Sequence, residues 1–150
     1  MNAVRLGFGL VLAVVIFVGA NLLWNALFGV SLSGSLSASG QEVGDWVLTP
    51  DICESGDRRS FFGVRMFTSH DSRLAFVYVE DPLQGRGVTV NIPGTDSGYR
   101  FGGQACKVLD GSLQRGAMIN QVRAVSGTID VDCQTDGASL RGHLTFENCQ

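Results

Sequence analysis

Few residues in this chain have the type and spacing to do chemistry. There are two histidines, His70 and His143. Ser69-His70-Asp71 places the three residue types of a hydrolytic triad in consecutive positions. A triad is a spatial arrangement, in which nucleophile, base and orienting acid come from separate elements. Three consecutive residues between two strand-like runs match turn chemistry instead. No Gly-x-Ser-x-Gly elbow occurs, so no catalytic residue is assigned. An enzyme of unknown type is the alternative, with groups that would converge only in the fold.

The acidic residues are the next candidates. Asp130, Asp132 and Asp136 have the density of a calcium loop. An EF-hand loop needs ligands at its first, third and fifth positions and glycine at the sixth. Here those last two positions are Gln134 and Thr135, so a solvated strand face is expected. Asp51, Glu54 and Asp57 surround Cys53 and precede Arg58-Arg59, which reads as a charged surface loop. Gly85-Arg86-Gly87 and Gly102-Gly103 have no helix after them to cradle a phosphate, so their glycines are assigned to turns. Arg115 and Arg123 flank an apolar patch without a motif. No cofactor or metal is expected.

The four cysteines are Cys53, Cys106, Cys133 and Cys149. None forms a C-x-x-C pair, which argues against a zinc knuckle or a thioredoxin-like site. An even number in a small exported domain implies two disulfides. Free buried thiols in a cytosolic domain are the alternative.

The elements that must position these residues begin with an uncharged run. No charge occurs between Arg5 and Glu42, and Leu6 to Val30 is largely aliphatic. As a helix, those residues would extend roughly 37 Å, against a bilayer core of about 30 Å. Trp24 lies where an indole reaches the interface, and glycine is tolerated in such helices. Arg5 places the N-terminus in the cytoplasm and the remainder outside by the positive-inside tendency. The alternative is a cleaved signal peptide, with Val18-Gly19-Ala20 as the cleavage site and a secreted domain as the product. Gly7-Phe8 resembles the processing junction of prepilins. However, the fifth position after such a cut is Leu12, where that family carries an acid, and the run ends near Val30 without a long stalk.

Residues 1–30 are therefore read as a signal-anchor or transmembrane helix. Residues 31–42, dominated by serine and glycine, are read as a flexible linker. Residues 43–150 are read as one extracytoplasmic β domain. Of the eleven basic and fourteen acidic residues only Arg5 precedes Glu42, which leaves the domain a net charge of −4. That balance argues against a nucleic-acid partner. Ten of the eleven basic residues are arginine, which is read as codon bias.

Short runs of β-branched and aromatic residues alternate with turn residues through the domain. Strands are expected at 46–49, 61–68, 73–80 and 87–92. Phe76 and Tyr78 face one way in the third, with Val77 and Val79 opposite, as in a central strand. Weaker strands are expected at 99–101 and 105–109, and 111–119 is ambiguous. The last two strands are the clearest. Val125, Gly127, Ile129, Val131 and Cys133 share one face; Leu140, Gly142, Leu144 and Phe146 share one face of the partner. Seven or eight strands make a small β-sandwich or a partly closed barrel.

Asp136-Gly137 is a two-residue type I′ turn signal. It pairs Val131 with Gly142, Ile129 with Leu144 and Gly127 with Phe146 inward. Outward it pairs Asp132 with Arg141, Asp130 with His143 and Thr128 with Thr145. Cys133 then lies by the turn and Cys149 about eight residues along the partner, too far apart to bond at roughly 3.4 Å per residue. The preferred pairs are Cys106–Cys133, whose members face inward, and Cys53–Cys149, with Cys149 out of phase and reaching a loop. The expected function is that of a membrane-tethered, non-catalytic binding or envelope-associated module, with a protein or glycan as partner.

Overall fold

Period-two alternation dominates the computed structural model, which describes residues 15–19 and 29–150. Its strands are β1 (Ser31–Ser39), β2 (Trp46–Leu48), β3 (Ile52–Ser55), β4 (Gly63–Phe67), β5 (Ala75–Asp81), β6 (Gly85–Asn91), β7 (Gly98–Gly102), β8 (Cys106–Ile119), β9 (Val122–Gln134) and β10 (Ser139–Cys149). They form two antiparallel five-stranded sheets, ordered β2-β1-β10-β9-β8 and β3-β4-β5-β6-β7. The second sheet is a simple meander. The first is assembled from both ends of the chain, with β1 inserted between β2 and β10. The architecture is a β-sandwich, not a closed barrel.

The core lies between the sheets. Leu36, Leu48, Ile129, Leu140, Leu144 and Phe146 from the first sheet meet Val64, Met66, Phe76, Tyr78, Val88 and Phe101 from the second. Full burial of such side chains contributes about 1.5–3 kcal/mol each. β5 is central, as its two apolar faces imply, but Val77 and Val79 on its outer face are only partly covered. Gly111 lies under the Tyr78 hydroxyl, and a Cβ there would overlap it.

The β9–β10 register matches the sequence expectation at every pair named above. The Thr135 N–H donates to the Ala138 carbonyl at 2.8 Å and closes the Asp136-Gly137 turn. Both expected disulfides are present, Cys53–Cys149 and Cys106–Cys133. The route of the first differs from the expectation. Cys149 is fully buried and pairs with Val125, because a bulge after Phe146 turns β10 by one residue. Asn148 occupies that extra place at φ 55° and its N–H donates to Ser126 Oγ. An extra residue reverses the phase of a strand, so Cys149 faces the core and meets Cys53 on a strand rather than in a loop.

The linker expected at 31–42 is overturned. Residues 31–39 form β1, with Leu36 and Ala38 buried and a serine at every outward position. Leu36 pairs with Gly142 on one side and Leu48 on the other. Gly34, at φ 100°, lets the β10 backbone approach so closely that a Cβ would strike the His143 carbonyl. The domain therefore starts at residue 31, not 43. The charged loop expected around Cys53 is β3, an edge strand. The ambiguous 111–119 segment completes β8, whose alternation is interrupted by two bulges in its pairing with β9.

The helix expected at 1–30 falls mostly outside the described residues. Of the described ones, 15–19 are helical and Val15, Ile16, Phe17 and Val18 are exposed. Among the described residues, no helix is long and apolar enough to cross a membrane.

Candidate functional site

The outward faces of β9 and β10 bring together Asp130, His143 and Thr145, with Asp130 opposite His143 as the hairpin register implies. His143 Nδ1 lies 2.7 Å from Asp130 Oδ1, and His143 Nε2 lies 3.1 Å from Thr145 Oγ1. An ionised carboxylate only accepts, so Nδ1 carries the proton facing Asp130. Nε2 and the Thr145 hydroxyl share the second hydrogen bond, with Nε2 accepting in the neutral ring and donating in the charged one. This connectivity is that of a hydroxyl, a base and an orienting acid. Its setting is wrong for acyl transfer. His143 and Asp130 are each more than half exposed on a flat sheet. β10 is paired on both sides, so its N–H groups are committed to the ladders and offer no oxyanion donors. The three residues form a cross-strand polar ladder, flanked by Ser33 and Ser35 on β1.

Asp132, Glu54 and Asp51 also have partners. Asp132 accepts from Arg141 Nε at 2.8 Å. Glu54 pairs with Arg59 and Arg65 at 3.4 and 3.3 Å. Asp51 accepts from the Ser69 hydroxyl at 2.5 Å and the Ser69 N–H at 2.6 Å. Those two donors, the hydroxyl first, hold the Asp51 carboxyl below its ordinary range. Thr68 and Asp71 bond within the same loop, so Ser69-His70-Asp71 does serve a turn. Among the described residues no three His, Cys, Asp or Glu side chains gather as a metal would require.

One polar network joins the sheets. Tyr78 donates to Glu80, Arg86 bonds Glu80 at 2.9 Å, and its other arm bonds Asp110 on β8 at 2.7 Å. Burial, and then the Glu80 charge, push the Tyr78 phenol well above the usual tyrosine range.

The arrangement best suited to hold a ligand lies at one end of the sandwich. The inward row of β9 reads Val131, Ile129, Gly127, Val125 and then Arg123. The inward row of β8 reads Leu109, Gly111, Leu113 and then Arg115, which pairs with Val125. Both rows leave the apolar core and end in arginine. From the opposite sheet come the Gly56–Arg59 turn and Phe61-Phe62. Together they enclose a cleft of about 290 Å³. Arg115 lies 4.4 Å over the Phe62 ring, and Asp57 accepts from the Arg123 main-chain N–H at 3.0 Å. Among the described residues neither guanidinium has a carboxylate within ion-pair distance. Two cations thus face the cleft against one acid, Asp57, in a domain that is acidic as a whole.

In the sequence Arg115 and Arg123 flank an apolar patch and carry no motif that gives them a role. The available signal was phase: Arg123 continues the inward series of β9 by one further step of two. The four disulfide cysteines are brought together in two pairs, and none is free. Compared with known proteins, the chain matches no family model, no curated protein and no solved structure.

Proposed function

We propose that the protein is an exported, membrane-tethered β domain that binds a ligand or partner at the envelope and does not turn over a substrate. The observation that carries this reading is the Cys53–Cys149 bridge. It joins β3 of one sheet to β10 of the other inside the core, across 96 residues of chain. A core built around such a bond needs an oxidising compartment to mature. The uncharged run from Leu6 to Val30, with Arg5 before it, supports export and retention in the membrane. The flat, exposed setting of Asp130, His143 and Thr145 favours binding over catalysis.

Intact-mass measurement on membrane and soluble fractions, with and without reductant, tests this. The expected species is the full chain in the membrane fraction, lighter by four hydrogens before reduction, as two disulfides require. A soluble species starting at Asn21 would replace the anchor with a cleaved signal peptide. A fully reduced chain in the soluble fraction would overturn export altogether.

A further inference from the structure

We propose that the cleft between Arg115, Arg123 and Phe62 seats the phosphate of an anionic lipid headgroup. The inference rests on the tethered reading, because the position of the cleft relative to the N-terminal run selects the ligand. One line across the first sheet carries the argument. Gly29 accepts from Asn148 Nδ2 at 3.2 Å, Cys149 is opposite Val125, and Val125 is opposite Arg115. The chain therefore comes out of the apolar run and into β1 at the end where the cleft opens. β1 begins at Ser31, so no tether separates that end from the run.

The β8–β9 hairpin continues past this line. From Val125 to the tip at Asn120-Gln121, both at positive φ, it projects about 10 Å or more further. Met118 is 61% exposed there. The end of the molecule nearest the run thus offers an exposed apolar side chain and two guanidinium groups beside a single acid, Asp57, with neither in an ion pair among the described residues. Arginine forks bind phosphate oxygens in a bidentate manner, and the negative potential of an anionic leaflet attracts such groups at short range. Ser60 and Asp57, which also line the cleft, suit the hydroxyls of a glycerol headgroup as donor and acceptor.

The test uses the full chain in dodecyl maltoside, followed by thermal unfolding and native mass spectrometry. The probes are dihexanoyl-phosphatidylglycerol, dihexanoyl-phosphatidylcholine and inorganic phosphate, against sodium chloride of equal ionic strength. The expected result is a saturable rise in melting temperature with the glycerol lipid and a matching one-lipid adduct. The choline lipid and inorganic phosphate should bind more weakly. Arg123→Ala should weaken the glycerol lipid about tenfold or more. Arg123→Ala keeps the main-chain bond to Asp57 and leaves the Arg115–Phe62 stack in place, so the domain should fold; Arg115→Ala is the second variant. No saturable response, an undiminished response in both variants, or equal affinity for the choline lipid would overturn the proposal. Inorganic phosphate binding as tightly as the glycerol lipid would overturn the lipid source. Alkaline carbonate extraction judges the anchor separately: a released chain that still binds the lipid defeats the anchor, and a retained chain that does not bind it defeats the site.

Discussion

Cys149 meets Cys53 across the sandwich, with Cα atoms 5.2 Å apart, because Asn148 takes an extra place in β10. The bond closes a far longer loop than its counterpart, 96 residues against 27 for Cys106–Cys133. Chain-entropy arguments give about 4.7 kcal/mol for the long loop and about 3.6 kcal/mol for the short one. Cys53→Ala/Cys149→Ala should therefore destabilise more than Cys106→Ala/Cys133→Ala, and its buried sulfur atoms leave a cavity that widens the gap. Urea unfolding without reductant measures both. A larger loss from the Cys106/Cys133 pair would contradict the ranking.

That bridge also shows where the sequence was legible and where it was not. The reach of β10 excludes only Cys133–Cys149 and leaves two pairings. Strand phase favours the observed one, but by a different physical route, since nothing in Glu147-Asn148-Cys149 marks a bulge before the partner strand is known. The β9–β10 hairpin was legible down to register because Asp136-Gly137 fixes the turn and the alternation on both strands fixes parity. β1 was hidden for the opposite reason. Its outward residues are all serine and one inward residue is Gly34, so composition outweighed the alternation of Leu32, Leu36 and Ala38. β3 was hidden by the acids around Cys53. The cleft was hidden because arginine at an inward position reads as the end of a pattern.

Asp51 and Ser69 give a titration with a definite sign. The folded pKa of Asp51 is depressed, chiefly by the Ser69 hydroxyl and next by its N–H. Its contribution to stability is therefore present above the unfolded value of about 3.9 and fades as pH falls through the folded value. Ser69→Ala removes the larger donor and should move the Asp51 carboxyl back toward the ordinary range. Carboxyl carbon chemical shifts followed through acid titration read this directly. The same midpoint in both proteins would break the assignment.

Tyr78 gives the opposite sign. Its folded pKa is raised by burial and by Glu80. The associated stability is complete below the unfolded value of about 10 and is lost as pH rises beyond it. Subtracting the alkaline absorbance titration of Tyr78→Phe from that of the native chain isolates the Tyr78 phenolate. It should appear together with the loss of the β circular-dichroism signal. A phenolate that forms near pH 10 in the folded protein would show that the hydroxyl under Gly111 is open to water.

Leu36 and Ser35 are neighbours on β1 and separate a strand from a tether. Leu36 is wholly buried between Leu48 and Gly142, on a strand paired on both sides within the first sheet. Ser35 faces outward opposite His143. In a flexible tether both positions would tolerate alanine equally. In a strand paired on both sides, Leu36→Ala leaves a cavity that its neighbours Leu48 on β2 and Gly142 on β10 can fill only in part. Such truncations cost about 2–5 kcal/mol, whereas Ser35→Ala on the exposed face should stay within about 0.5 kcal/mol. The comparison also sets the domain boundary, because a chain beginning at Val43 would leave β2 and β10 with unpaired edges and should fail to fold cooperatively. Urea midpoints for the two variants, and a melting curve for the shortened chain, decide it. Equal midpoints for Leu36→Ala and Ser35→Ala, or a sharp transition without residues 1–42, would return the segment to a tether.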